Sequence, residues 1–282
     1  MNTTTQPRTA SAKTWFITGA TSGIGRELML AALRRGDHVA ALARNIDGLD
    51  DLAQQFDATL ITLAADVRDD ASVRAAVQRT VEAFDRIDVV ANNAGYGLFG
   101  AVEEASDAQA RAIFDTNVFG NLNVLRATLP VLRAQRSGHI LQGSSVYGQS
   151  AHPGVGLLSA TKYAVEGLSD ALADEVAPLG IRVTIVEPQF AATAFLSNLE
   201  TAEPNADYDH TVRTVHQAIG RLPASAFAAP ADIAAAVLRA VDAGTSPLRL
   251  ALGATSAENI RIALNARMRD LDAWTDLTAA AA

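Results

Sequence analysis

The chain has 282 residues, 49% of them apolar and 19% charged, a balance that allows a large buried core and argues against a disordered polymer. Its 31 acidic and 23 basic residues give a formal charge of −8 with no basic run, so nucleic acid is not an expected partner. Cysteine is absent, which removes disulfides and thiolate chemistry, and no apolar run reaches the roughly 18 residues of a membrane span.

Residues 1–12 read as a flexible polar tail without the apolar core of a signal peptide, so a cytoplasmic protein is expected. A short apolar run then ends at Thr18 and reads as a first strand. Gly19, Gly23 and Gly25 follow, opening a helical pattern that begins near Ile24, runs to Arg35 and stops at Gly36. Such an arrangement aims backbone N–H groups and the positive end of a helix dipole at one spot, where missing side chains let a pyrophosphate approach. The spacing is G-x-x-x-G-x-G, so the dinucleotide fingerprint is met in mechanism and departed from in letter.

The next apolar run, 38–43, is a predicted second strand with Arg44 just past its end. A helical pattern at 49–56 leads to a third strand, 59–64, closed by Asp66-Val67. Over 70–84 the residues Val73, Ala76, Val77, Thr80, Val81 and Phe84 recur at steps of three and four, one face of an amphipathic helix. Residues 87–91 give strand four, ahead of Asn92-Asn93-Ala94-Gly95. Helices follow within 106–132, then a fifth strand at 138–143, a long helix at 153–177, and a sixth strand at 181–186 ending at Glu187-Pro188. The irregular stretch of about 190–225 has the length at which a loop is suspected of being a functional flap. A helix at 231–241, a strand near 248–251 and a last amphipathic helix at 257–274 complete the reading. Strands alternating with helices predict right-handed βαβ units, hence an α/β protein with a single doubly wound parallel sheet flanked by helices, plus a C-terminal helical extension. Ligands of such a sheet bind at the carboxyl ends of its strands. The five histidines, His38, His139, His152, His210 and His216, show no ligand spacing, and no metal is expected.

These motifs together resemble the short-chain dehydrogenase/reductase family over about residues 13–255. The matches are Thr18-Gly19-Ala20-Thr21-Ser22-Gly23-Ile24-Gly25, Asp66-Val67, Asn92 to Gly95, Asn117, Ser144-Ser145, Ser159 to Val165, and Pro188 followed by Thr193. The resemblance implies a Rossmann-type oxidoreductase domain over 13–255, flap included, with 256–282 as a C-terminal helix and tail. It implies a nicotinamide dinucleotide over Gly19, Thr21, Ser22, Gly23, Ile24 and Gly25, its adenine meeting Asp66 and Val67. Asn93, Ala94 and Gly95 would line the adenosine side, and Lys162, Pro188, Gln189 and Thr193 would hold the nicotinamide end. A carboxylate ending the second strand would suit the ribose hydroxyls of NAD, whereas a guanidinium pairs with a 2′-phosphate; Arg44 therefore points to NADP over NAD. The family also implies a homo-oligomer, with a dimer built from the helices at 106–135 and 153–177 expected here.

At the chemistry the chain departs from the family, which usually carries Tyr-x-x-x-Lys on the long helix. Residues four apart share a helix face, so in the family the ammonium depresses the phenol's pKa and holds the nicotinamide ribose. The phenol then protonates a carbonyl oxygen that a Ser hydroxyl orients. Ser145, Lys162 and Asn117 match this catalytic set, but the position four before Lys162 is Leu158. Tyr163 points about 140° away from Leu158 on a regular helix, while Tyr147 and Tyr96, which follow strands five and four, could overhang the site. Gln189 stands where the family generally has Gly. Tyr147, Leu158, Gln189, Phe190 and Phe195, with Leu98, Phe99, Val146, Leu157 and Leu196, suggest an apolar substrate pocket. Three functions compete: a carbonyl reductase without its usual proton donor, a reductase of iminium ions or conjugated alkenes, and a protein that binds NADP and catalyses nothing.

Overall fold

The computed structural model describes residues 12–193, 195 and 198–275. The expected tail at 1–12 thus lies almost wholly outside the described residues, as do Leu196 and the end of the chain from 276. In chain order the first half runs β1 (Thr14–Thr18), α1 (Gly23–Arg34), β2 (His38–Ala43), α2 (Asp50–Gln55), β3 (Leu60–Ala64), α3 (Asp70–Phe84), β4 (Val89–Asn92) and β5 (Leu98–Phe99). The second half runs α4 (Asp107–Phe114), α5 (Gly120–Gln135), β6 (Gly138–Gly143), α6 (Gly156–Val176), β7 (Ile181–Pro188), β8 (Glu200–Thr201), α7 (Thr214–Gly220), α8 (Pro230–Asp242), β9 (Arg249–Leu252) and α9 (Ser256–Ala273). Seven strands form one sheet in the order β3-β2-β1-β4-β6-β7-β9, every pair parallel. This is the doubly wound arrangement expected, with the order reversing direction between β1 and β4.

Alternation along β1 shows how the sheet is buried on both faces. Trp15 and Ile17 join Leu28, Met29, Ile233 and Val237, under α1 and α8. Phe16, between them, faces Val73, Val77, Val124 and Leu172, under α3, α5 and α6. Period-two side-chain direction makes both packings from one five-residue strand. Trp15 keeps its indole N–H satisfied by donating to Asp37 Oδ2 at 2.7 Å.

Local chemistry sets the helix ends. Asp69 caps α3 by accepting from the Ala71 N–H at 3.0 Å, Ser106 and Gln109 form a reciprocal capping box on α4, and Pro230 opens α8. Three boundaries differ from the sequence expectation, each for a visible reason. Strand four begins at Val89 because Gln135 takes both backbone groups of Ile87, at 3.0 and 2.6 Å. The long helix begins at Gly156 because Gly154 has φ 93° and Val155 is bridged to Gly100. Between α4 and α5 lies a π-helical turn, Asp115–Phe119, in which the Gly120 N–H reaches back to the Asp115 carbonyl. The stretch read as an irregular flap contains β8, paired with β5, and α7. Glu104 anchors it by binding the Arg213 guanidinium and accepting from the Asn205 N–H at 2.7 Å. No helix among the described residues is long and apolar enough to cross a membrane.

Candidate active site

The carboxyl ends of β1 and β4 are laced together beside the glycine turn. Thr18 Oγ1 accepts from the N–H groups of Asn93 and Ala94 at 3.0 and 2.9 Å, and Asn93 Nδ2 donates to the Thr18 carbonyl at 3.2 Å. Gly19 has φ 67°, and a Cβ there would stand 3.1 Å from Ala94 Cα. A Cβ on Gly25 would lie 2.3 Å from the Gly19 carbonyl oxygen and 2.6 Å from Asn93 Nδ2, so Gly25 shapes the turn from beneath. Ser22 precedes α1 without a side-chain cap, leaving the helix N-terminus to whatever occupies the turn.

The turn opens into a cleft of about 970 Å³. Gly19, Ser22, Gly23, Ile24, Arg44, the run Asn93 to Gly95, Lys162, Pro188, Gln189 and Thr193 all line it. The remaining proposed binders are not on its wall. Thr21 is half-buried in the turn, Gly25 lies below it, and Val67 is buried where a Cβ on Gly120 would strike it at 2.7 Å. Asp66 spends its carboxylate on Arg68, which forks onto it with Nη2 at 2.6 Å. That hydrogen bond holds the Asp66 carboxyl below the usual carboxylate range. Arg68 itself lines the cleft beside Arg44, so two guanidiniums face the end where the sequence offered one. Arg44 makes no ion pair among the described residues.

Elsewhere on the cleft stand Lys162, Ser145 and Leu158, with Asn117 behind them, the set the sequence reading assigned to catalysis. Lys162 is half-buried, and its Nζ donates to the Gly143 carbonyl at 2.7 Å. Burial lowers its pKa to about 8, opposed by the nearby Glu166 carboxylate. Ser145 donates to the Pro188 carbonyl at 3.3 Å. Asn117, buried in the π-helical turn, does not reach the cleft wall; it accepts from the Tyr96 N–H at 3.1 Å and donates to the Tyr96 carbonyl and to Thr161 Oγ1. It stands behind Gly95, where a Cβ would meet Asn117 Oδ1 at 3.0 Å and Lys162 Nζ at 3.8 Å. Leu158 lines the cleft at 2% exposure, within a cluster that includes Leu98, Phe99, Ile113, Val155 and Val212. The Gln189 side chain accepts from Thr255 Oγ1 at 2.6 Å, which ties it to the entrance of α9.

Of the proposed substrate residues, Tyr147, Phe190 and Phe195 reach the wall, as does Phe99, whereas Leu98, Val146 and Leu157 lie outside it. Phe190 packs on Phe227 at 5.6 Å between ring centroids. Phe227 and His216, both lining residues, come from the flap region and carry no sequence signal of their own. Tyr163 is outside the cleft, with its hydroxyl accepting from Arg267 at 2.8 Å.

Beneath this end a carboxyl pair is buried. Glu166, one turn beyond Lys162, accepts from Ser144 Oγ at 2.5 Å, Gln149 Nε2 at 3.0 Å and Arg249 Nε at 3.1 Å. Glu187 on β7 adjoins it, with Arg249 Nε 4.0 Å away and its Oε1 without a hydrogen bond among the described residues. Burial first, and the Glu166 charge second, push the Glu187 carboxyl up to about 7. Among the described residues no group of three or more His, Cys, Asp or Glu side chains could hold a metal ion.

A family model described as short chain dehydrogenase matches residues 13–204. Oxidoreductase BOA17 of Botryotinia fuckeliana is 36% identical over 272 residues, 96% of this chain and 99% of that protein. A short-chain dehydrogenase of Streptomyces avermitilis of known structure is 36% identical, superposes with a TM-score of 0.88, and is covered over 96% of this chain and 99% of that one. One from Burkholderia cenocepacia, solved in complex with NADP, is 28% identical with a TM-score of 0.72, over 93% of this chain and 96% of that one. A further structure of the same fold holds NAD.

Proposed function

Because the chain belongs to the short-chain dehydrogenase/reductase family, we propose that it is an oxidoreductase that uses NADP to reduce the carbonyl of a small apolar substrate, without the family's usual phenol. The observation that carries this reading is that the glycine turn, Lys162 and Ser145 open onto one cleft whose remaining wall is largely apolar. The dinucleotide, when bound, supplies hydride from its nicotinamide ring. The fit rests on a turn that tolerates no added side chain at Gly19 or Gly25 and on two guanidiniums, Arg44 and Arg68, on the same cleft. A 2′-phosphate carries the charge these guanidiniums can pair with, which favours NADP over NAD.

Lys162 would hold the ribose hydroxyls through the donors it does not spend on Gly143, and Ser145 would orient the substrate oxygen. Asn117 keeps the Tyr96 backbone, and with it the Gly95 wall, in place. Leu158 specifically favours a second reading, in which the acceptor is an iminium ion or a conjugated alkene. An iminium is already cationic and needs no proton at a developing oxyanion. The third reading is a protein that binds NADP without turnover.

Stopped-flow oxidation of NADPH against ketones, preformed iminium ions and enones separates the three. Ketone turnover supports the carbonyl reading. Turnover confined to the other acceptors transfers the site to them, and binding without any turnover leaves a nucleotide-binding protein.

A further inference from the structure

Resting on that reading, we propose that the Tyr147–His152 pair is the proton donor of this active site, in place of the phenol that Leu158 displaces. Tyr147 lines the cleft with Ser145 and Leu158 and packs against the cluster that holds Leu158. Its hydroxyl is 2.7 Å from His152 Nε2, with the rings edge to face. On the other side of the imidazole, Nδ1 is 2.9 Å from the Pro153 carbonyl oxygen. A carbonyl only accepts, so Nδ1 carries a hydrogen and the neutral ring presents its lone pair at Nε2 to the Tyr147 O–H. With Nδ1 fixed, the half-buried His152 exchanges protons only at the nitrogen that touches the phenol.

What sets Tyr147 apart from the other tyrosines is the imidazole on its hydroxyl. Tyr163 lies outside the cleft, bound by Arg267, and Tyr208, off the cleft wall, donates to Glu103. Tyr96 also lines the cleft and packs on the Leu158 cluster, but the charges that act on its phenol are Glu200, Arg68, Asp115 and Arg44, with no histidine among them. Burial alone raises the Tyr147 phenol to about 12, with no charged side chain contributing, so it enters a reaction protonated. The charged groups on neighbouring elements are Lys162 and Glu166 of α6 and Glu187 of β7, and Glu166 lies behind Gly148, where a Cβ would stand 2.8 Å from its Oε1.

The step balances as follows. His152 takes a proton from water at Nε2 and donates that N–H to Tyr147 Oη, which turns the phenolic O–H toward the substrate. As hydride adds to the carbonyl carbon, the C=O π pair moves onto oxygen, the Tyr147 O–H bond breaks and the alcohol O–H forms. The Nε2 proton then passes to Tyr147 Oη and the imidazole returns to its neutral form. The carbonyl is reduced, the reduced nicotinamide dinucleotide is oxidised, and one solvent proton is consumed.

The test compares Tyr147→Phe in the native chain and in a Leu158→Tyr background, with ketone turnover and NADPH dissociation constants measured for all four proteins. A general acid is worth roughly 10²–10⁴-fold. The expected result is a loss of that size in kcat for Tyr147→Phe in the native chain, with cofactor affinity retained, and a loss at least tenfold smaller in the Leu158→Tyr background, where a second phenol is available. His152→Ala should lower kcat rather than raise KM, and added imidazole should restore part of it. A second readout needs no cofactor: ¹⁵N NMR of the free protein should show His152 as the Nδ1–H tautomer, with that preference weakened by Tyr147→Phe. Equal losses in both backgrounds, no loss in the native chain, or an Nε2–H tautomer overturn the assignment. A native chain that reduces no ketone also overturns it; the hydride-transfer reading survives that result if Leu158→Tyr gains ketone turnover, and falls with it if neither protein turns over any acceptor.

Discussion

Replacing Glu187 with Gln should stabilise the protein in alkaline buffer and change little in acid. The carboxyl of Glu187 is buried beside Glu166, and its pKa stands at about 7 in the folded chain against 4.5 for an ordinary glutamate. Below 4.5 both folded and unfolded chains hold the proton. Between 4.5 and about 7 the unfolded chain releases it while the folded chain retains it, so stability falls as pH rises across this window and levels off above it. At about 1.4 kcal/mol per unit, the displacement makes the native chain up to about 3 kcal/mol less stable at pH 8 than a chain with a neutral group there. Gln is close in shape, neutral at every pH, and can donate to Glu166. Urea unfolding of both proteins at pH 4.5, 6, 7 and 8 measures the difference, which should grow from a few tenths to about 3 kcal/mol. A difference that stays constant across the series would refute the idea that Glu187 carries the buried proton.

Arg44→Asp should erase or reverse a preference for NADPH over NADH, read by fluorescence titration of both; equal affinities in the native chain would remove the assignment of Arg44. Lys162→Ala should weaken dinucleotide binding about tenfold or more, and native affinity should fall as pH rises through about 8, where the ammonium loses its proton, while the variant shows no such step. Gly25→Ala forces a Cβ to 2.3 Å from the Gly19 carbonyl, so it should cost about 1–3 kcal/mol of stability and abolish measurable dinucleotide binding; a thermal melt and a titration check both. Sedimentation velocity over a range of concentrations should show a dimer, and a concentration-independent monomer would exclude the expected interface of the helices at 106–135 and 153–177.

The sequence made the sheet and the glycine turn at the cleft legible because both depend on local spacing. Gly19, Gly23 and Gly25 write a turn within seven residues, and short apolar runs mark the central strands. Lys162 and Leu158 were readable for the same reason, as neighbours on one helix face. Groups assembled across the sheet were not. Glu166, Glu187 and Arg249 meet because α6, β7 and β9 adjoin, and nothing near any of them in sequence announces the other two. Arg68 reached the cleft wall because the carboxylate of Asp66, assigned by resemblance to the adenine, is turned back onto it. The partnership of Tyr147 with His152 depends on how a short loop folds over itself, which periodicity does not encode.

The π-helical turn at Asp115–Phe119 does more than place Asn117. On an uninterrupted α-helix, Ile113 and Val124 would lie within about 20° of one another and share a side. Here Ile113 packs with Leu98, Phe99 and Leu158 beside the cleft, whereas Val124 packs with Phe16 and Val90 against the central sheet. The widened turn is therefore a phase shift between two helices that serve different masters, one the pocket and the other the scaffold. Substitutions on the inner side of α4 can recontour the cleft beside Leu158 while leaving the packing of α5 on the sheet intact. Deleting one residue from the turn would lock the two together again.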